Sequence, residues 1–259
     1  MEDQGHAVLL YADVADLSDE VVTYLVDGFA SGAAAVVVAT REHLRRFEEG
    51  LAAAGWPRAA LERERLLFVA DADAALAAIM EGRSRPRPSA AVFNGLITTL
   101  LAEAAGAGPA RDVRVYGEMV DLLTQRGLHH AALRLEALWN RLASRCSFSL
   151  LCAYGVDVFD GATQSRVLPG VCEVHSHVQP AADAARFARA VDEALEQTLG
   201  RALAGQVYVK ANRQAAGDDG VPPAQKTLLW VSQHIPGSAE HVLAAARERY
   251  FAAPLTTGA

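Results

Sequence analysis

Lysine is almost missing from this sequence: of 24 basic side chains it supplies only Lys210 and Lys226. A phosphate-binding loop of the form G-x-x-x-x-G-K-[ST] needs a lysine to reach the phosphates, so that route to nucleotide hydrolysis is closed for everything before residue 210. The first apolar run is followed by "DVADLSDEV", which offers carboxylates where a nucleotide would need amides and a cation. No G-x-G-x-x-G opens a helix after a strand, since "GAG" at 106 runs into Pro109, and no G-x-S-x-G occurs. Cysteine is scarce and odd in number. Cys146, Cys152 and Cys172 lie in or beside apolar segments, which fits reduced, buried thiols better than a disulfide framework. Runs such as "AAAVVVA" fall well short of the roughly 20 apolar residues that span a bilayer, and the opening "MEDQGHAVLLYADVADLSDE" is acidic where an export signal is basic. A cytoplasmic protein that engages no membrane is expected. The formal charge of -7 leaves no electrostatic footprint for nucleic acid.

What is present is enough for a full core: 259 residues, 51% of them hydrophobic. Runs at 6 to 12, 34 to 40, 66 to 72, 113 to 119 and 148 to 154 are continuously apolar, as suits strands buried on both faces of a parallel sheet. Helical patterns lie between them: 18 to 30 with Ser18 as N-cap, 41 to 54, 73 to 81, 90 to 105, and 119 to 144 with a break near Gly127. Strand alternating with helix predicts an α/β, doubly wound, mostly parallel sheet flanked by helices. "GRSRPRPSA" and "GAGPARD" are loops. An irregular connection then leads to a helix over 183 to 203, where Phe187, Val191, Leu195, Leu199 and Leu203 form one stripe. "GQVYVKAN" reads as an edge strand, "RQAAGDDGVPP" as a linker, and 223 to 235 and 238 to 251 as two short helices. The division expected is a main domain over 1–204 and a C-terminal extension over 205–259.

Doubly wound sheets bind ligands beyond the carboxyl ends of their strands. That rule nominates Asp13 after the first run, Glu118 at the end of the fourth, and Tyr154 and Asp157 after the fifth. Asp71 and Asp73 read as helix caps. Glu118 follows Gly117 at a strand-to-helix turn, where a missing side chain permits an unusual backbone angle or a close ligand approach, and it could equally cap the next helix.

"VCEVHSHVQP" raises the question of a metal. Structural zinc generally takes four ligands, in spacings this segment only half provides. If 171 to 178 is extended, Cys172 shares a face with Val174, Ser176 and Val178, whereas His175 and His177 share the other with Glu173. The cysteine is thereby separated from the histidines, and no metal or cofactor is expected. The tail invites comparison with a helix-turn-helix, but its second helix carries Arg247 and Arg249 against Glu240 and Glu248, too little positive charge for a recognition helix. Leu228, Leu229, Val242 and Leu243 are better spent on packing.

In order, "HAVLLYADVADL", "VYGEMVDLL", "LEALWNRL", "SLLCAYGVDVF" and "VCEVHSHVQP" resemble the MEDS family, the methanogen/methylotroph DcmR-type sensory domain related to RecA and KaiC sheets but without their nucleotide motifs. The resemblance covers about residues 6 to 180. His6 and Tyr11 match the opening histidine and tyrosine, Gly117, Glu118 and Met119 the G-E-M turn, Glu136 and Asn140 the helix motif, Cys152 and Tyr154 the fifth strand, and His175 and His177 the closing H-S-H. It implies a RecA-like sensor of small, hydrocarbon-derived molecules, often fused to a DNA reader or a histidine kinase. Neither is expected in this chain.

The expectation is therefore a stand-alone, non-enzymatic sensory module, forming a homo-oligomer and signalling to a protein partner such as a kinase or transcription regulator. Asp13, Glu118, Tyr154, His175 and His177 are its ligand-binding candidates. At ~3.3 Å per residue His6 stands about 20 Å from the ligand end of its strand, so a structural hydrogen bond or an interface is expected there. Two other readings stay open: a metal- or thiol-dependent enzyme using Cys152, Cys172, His175 and His177, and an interaction module that binds no ligand.

Overall fold

The computed structural model describes residues 5–82, 84–106, 111–213 and 220–252. The chain divides into two compact units, one of Met1–Gly155 with Val174–His177, the other of Val156–Glu173 with Val178–Ala259. The expected boundary at 204/205 falls inside a helix of the second unit.

The first unit begins with β1 (His6–Tyr11), α1 (Val14–Ala30), β2 (Ala34–Ala39), α2 (Arg41–Ala53), α3 (Arg58–Arg63), β3 (Leu67–Asp71) and α4 (Ala72–Ile79). A hairpin of two-residue strands follows, β4 (Met80–Glu81) at the end of the expected helix and β5 (Arg87–Pro88) in the expected loop, and then α5 (Ala90–Ala105), β6 (Val113–Gly117), α6 (Met119–Gln125), α7 (His129–Ala143) and β7 (Ser149–Gly155). The five apolar runs are thus the strands of the sheet. With β8 (His177–Gln179) the order is β3-β2-β6-β7-β1-β8, and the pairs β1/β7, β2/β3, β2/β6 and β6/β7 are parallel. The α/β class expected from the sequence, a sheet of mostly parallel strands flanked by helices, is the fold observed. All six positions of β2 are buried, the outcome its unbroken apolar composition requires when helices cover both faces.

Strand alternation sorts the core. Leu9, Tyr11, Val37, Tyr116, Leu151 and Ala153 point toward α1 and α2, burying Leu17, Val21 and Leu25 of α1 and Phe47 and Leu51 of α2. The opposite parity of β1 and β7 puts His6, Cys152 and Tyr154 on the other face, where Trp139 of α7 meets Phe93 of α5 edge-on at 4.9 Å. Each fully buried Leu, Val or Phe contributes about 1.5–3 kcal/mol.

Several local expectations are corrected. α1 starts at Val14, not Ser18: Asp13 is its N-cap and accepts the Ala15 amide at 2.8 Å. The break expected near Gly127 is present, dividing the long pattern after 119 into α6 and α7, and the φ of 71° there suits glycine. Asp71 caps α4 as expected, whereas Asp73 is exposed and pairs with Arg126 at 2.8 Å.

The second unit contains α8 (Gly161–Arg166), α9 (Leu168–Val174, the last residue belonging to the first unit), α10 (Ala184–Leu199), α11 (Arg201–Arg213), α12 (Pro223–His234) and α13 (Pro236–Phe251). The "irregular" connection is therefore α8 and α9, and Cys172 sits on a helix. The extended segment shrinks to His177–Gln179. "GQVYVKAN" is not an edge strand but part of α11, which buries Ala204 and Val207, three positions apart. The α10 stripe ends at Leu195: Gly200, with φ 77°, separates it from α11, leaving Leu203 exposed. α10 packs on α13, and Phe187, Val191 and Leu195 are buried on the one and Val242, Leu243 and Ala246 on the other. Most of the expected linker, 214–219, lies outside the described residues. No helix among the described residues is long and apolar enough to cross a membrane.

Candidate functional site

Two polar centres lie inside the first unit, on opposite faces of its sheet. The outer one stands at the carboxyl ends of β1, β6 and β7. Glu118 occupies the N-cap position of α6, yet its carboxylate makes no capping bond to that helix. It turns to the neighbouring element: Oε1 accepts the backbone N–H of Thr40, at the start of α2, and Oε2 meets His43 Nδ1 at 2.8 Å and the Tyr116 hydroxyl at 3.0 Å. Asp121 follows one helical turn later. Its Oδ2 accepts from Tyr11 and Gln125 at 2.9 Å each, and its Oδ1 accepts the Gly155 amide at 2.9 Å. Both carboxylates are 2% exposed, whereas the His43 side chain keeps 15% of its surface.

The electrostatics separate two neighbouring carboxyls. Burial pushes Glu118 up, but the His43 and Thr40 hydrogen bonds overcome it and hold the group below its ordinary value. Asp121 is raised, chiefly by burial, with the Glu118 charge adding to the effect. The Glu118 hydrogen bond raises His43. Burial raises Tyr11 well above the phenolic range, with the adjoining Asp121 charge adding to it. The outcome is a histidine and a carboxylate each of which favours the charged form of the other, beside a carboxyl whose ionisation is disfavoured.

The inner centre lies on the α7 face. His6 begins β1, Cys152 sits mid-way along β7, Glu136 descends from α7, and His175 follows α9. His6 Nε2 is 3.2 Å from Cys152 Sγ and 3.2 Å from Glu136 Oε2. His175 Nε2 is 3.3 Å from Glu136 Oε1, which also accepts the Tyr154 hydroxyl at 2.7 Å. Asn140 Nδ2 donates to the Val174 carbonyl at 2.9 Å, leaving its Oδ1 to meet His6 Nδ1 at 2.9 Å. Glu136 is wholly buried. Burial alone would raise it, but His175 and His6 draw it far below the carboxylate range. Burial drives the Cys152 thiol well above its ordinary value. Of the described residues, these four carry the ligand atoms of a compact Cys/His/Glu group, all within 4.8 Å of one another.

The ligand-binding candidates therefore do not converge. Glu118 belongs to the outer centre. Tyr154 and His175 belong to the inner one, on the other face, Asp13 caps α1, and His177 is exposed. Cys172 and His177 are no part of the Cys/His/Glu group. The structural hydrogen bond expected of His6 is present. Gly117 does not adopt the unusual backbone angle foreseen for it: its φ is not positive, and an added Cβ would sit at an ordinary 3.6 Å from Trp139. At the outer centre it is Gly155 that is crowded, where a Cβ would meet the Tyr11 hydroxyl oxygen at 3.0 Å. His43, Tyr116 and Asp121 escaped sequence reasoning. For Asp121 a signal existed, because its spacing of three from Glu118 across "GEMVD" puts both on one helical turn. For His43 there was none, since its approach depends on β2 lying beside β6.

Compared with protein-family profiles, residues 5–175 match MEDS, described as the MEthanogen/methylotroph, DcmR Sensory domain. No curated protein matches the chain.

Proposed function

The chain belongs to the MEDS family of sensory domains, and on that premise we propose that it is a non-enzymatic sensor that binds a small molecule at the outer centre and passes occupancy to a protein partner. The observation that carries the reading is the joint anchorage of Glu118. One carboxylate, at the ligand-binding end of a doubly wound sheet, holds the His43 ring and the amide that opens α2. A small hydrogen-bond donor or amine competing with His43 for Glu118 Oε2 would free that ring and the amino end of α2 together. His43, Glu118, Asp121 and Tyr11 are the contacts in this reading, and Asp13, Tyr154, His175 and His177 leave the set.

The absence of catalysis is supported by the state of the acids. Glu118 and Asp121 have both oxygens engaged by protein donors, an arrangement suited to a switch more than to proton transfer. A thiol-dependent enzyme is disfavoured by the burial of Cys152, which keeps its sulfur protonated. A signalling partner, a kinase or transcription regulator, or a second copy of the chain is supported by the apolar surface that α11 leaves open at Leu203, Tyr208 and Val209. The test is a thermal-shift and calorimetric screen with short-chain alcohols, amines and carboxylic acids, because a ligand that binds only the folded state raises Tm. A stabilising compound whose effect vanishes in His43→Ala and Glu118→Gln supports the proposal. A compound that stabilises those variants equally, or no stabilising compound alongside capture of a partner, overturns it.

A further inference from the structure

The inner centre goes beyond this reading, because nothing in ligand sensing at Glu118 requires it. We propose that His6, Glu136, Cys152 and His175 form a closed four-ligand site for one zinc-class divalent cation.

The spacing argues first. A tetrahedral ion with bonds of about 2.0–2.3 Å places its ligand atoms roughly 3.3–3.8 Å apart. The separations here are 3.2 Å for His6 Nε2 to Cys152 Sγ, 3.2 Å for His6 Nε2 to Glu136 Oε2, 3.5 Å for Cys152 Sγ to Glu136 Oε2 and 3.3 Å for His175 Nε2 to Glu136 Oε1. No pair of ligand atoms exceeds 4.8 Å, so closure asks for small ring and carboxylate movements only.

Tautomer and charge agree with the spacing. The Asn140 amide is oriented by its bond to the Val174 carbonyl, so its Oδ1 faces His6 and the proton of a neutral His6 sits on Nδ1. The Nε2 lone pair of that neutral ring then points into the cluster, toward Cys152 Sγ and the Glu136 carboxylate. A cation there takes the place of the proton that a charged His6 would share with Glu136, and the Asn140 bond is the outer support that metal-bound histidines generally have. Two neutral imidazoles, one thiolate and one carboxylate neutralise a dication, which removes the cost of a net charge in a wholly buried place. Binding breaks the Cys152 S–H bond, forms a sulfur–metal bond and releases the proton to solvent. Imidazole and thiolate together favour zinc-class ions over magnesium or calcium. All four residues are buried, so no position stays open for a water nucleophile. The ion would tie β1, β7, α7 and the His175 segment together.

The experiment uses the full chain, stripped with a chelator while folded, then titrated with Zn²⁺ or Co²⁺ and dialysed. The expected result is about one ion per chain, with a thiolate-to-cobalt charge-transfer band and intense tetrahedral d–d bands in the Co²⁺ form, and about one proton released per ion. Cys152→Ser and His175→Ala should lose the ion, Asn140→Ala should bind it about 10–100-fold more weakly, and Cys172→Ser and His177→Ala should keep it. Zn²⁺ well below one equivalent, a Co²⁺ spectrum without the thiolate band, or retention by a Cys152→Ser, His175→Ala double variant overturns the proposal. Should those variants not fold, alkylation of Cys152 in the parent chain decides: protection by Zn²⁺ supports the site, and equal labelling with and without it refutes the site. A failed ligand screen with metal bound would count against the outer centre alone.

Discussion

His6 and Cys152 stand 146 residues apart in the chain, yet the imidazole Nε2 of one lies 3.2 Å from the thiol of the other. Parallel pairing of β1 with β7, with Val8 opposite Cys152, brings them onto one face of the sheet. Glu136 reaches both from α7. The family match carries the sensory assignment, and this buried contact lies on the other face of the sheet from Glu118.

Glu136→Ala removes the carboxylate that meets His6, His175 and the Tyr154 hydroxyl in a wholly buried place. Each buried polar group left without its partner costs about 1–3 kcal/mol, so the urea midpoint should fall sharply. Glu136→Gln, which keeps the shape and the Tyr154 contact, should lose less. Equal midpoints for Glu136→Ala and the parent chain would mean that the inner centre contributes nothing to stability.

The His43–Glu118 pair sets a pH window. Its hydrogen bond raises His43 above the ordinary 6.5, so the stability from the protonated ring is full below 6.5 and lost as pH rises through the folded value. Glu118 is pushed up by burial but held below 4.5 by His43, so its contribution is present above 4.5 and lost as pH falls through its folded value. Asp121, raised above 3.8 chiefly by burial, works in the opposite sense: its ionisation costs stability as pH rises from 3.8 to its folded value. Unfolding free energies measured across pH should show an alkaline limb that His43→Gln flattens. An unchanged limb would remove His43 from the account.

Gly155→Ala places a methyl group 3.0 Å from the Tyr11 hydroxyl oxygen and 3.4 Å from Asp121 Oδ2. The neighbours must yield, and overpacking of this kind costs about 1–3 kcal/mol. Gly117→Ala, with ordinary 3.6 Å clearance to Trp139, should cost less. Comparative urea titrations of the two variants test the ranking, and a reversed order would contradict the crowding at Tyr11.

Asp13→Ala removes the N-cap of α1 and should lower stability by about 1 kcal/mol, while Asp13→Ser restores most of it. Neither change should alter the affinity of a compound found in the small-molecule screen, as measured by calorimetry. A weakened affinity in both would return Asp13 to the ligand site.

How much was legible in the sequence follows from the range of each interaction. The strands read correctly because "AAVVVA" and its counterparts are continuous apolar runs, and burial on both faces is a local property of composition. "GQVYVKAN" misled because a short β-branched run fits either element, and only its neighbours made it the helix that buries Ala204 and Val207. Parity along β7 could have told that Tyr154 shares a face with Cys152. It could not tell which helix covers that face.

The sequence by itself determined the α/β class, the five long strands, the absence of a lysine-bearing phosphate loop and the family resemblance, since each rests on residue type and short-range spacing. Tertiary structure alone decided that His175 joins His6 and Glu136 while His177 stays exposed, and that Glu118 serves His43 and α2 instead of capping its own helix. Those choices depend on strand order and on which helix lies over which face, and no local pattern encodes either.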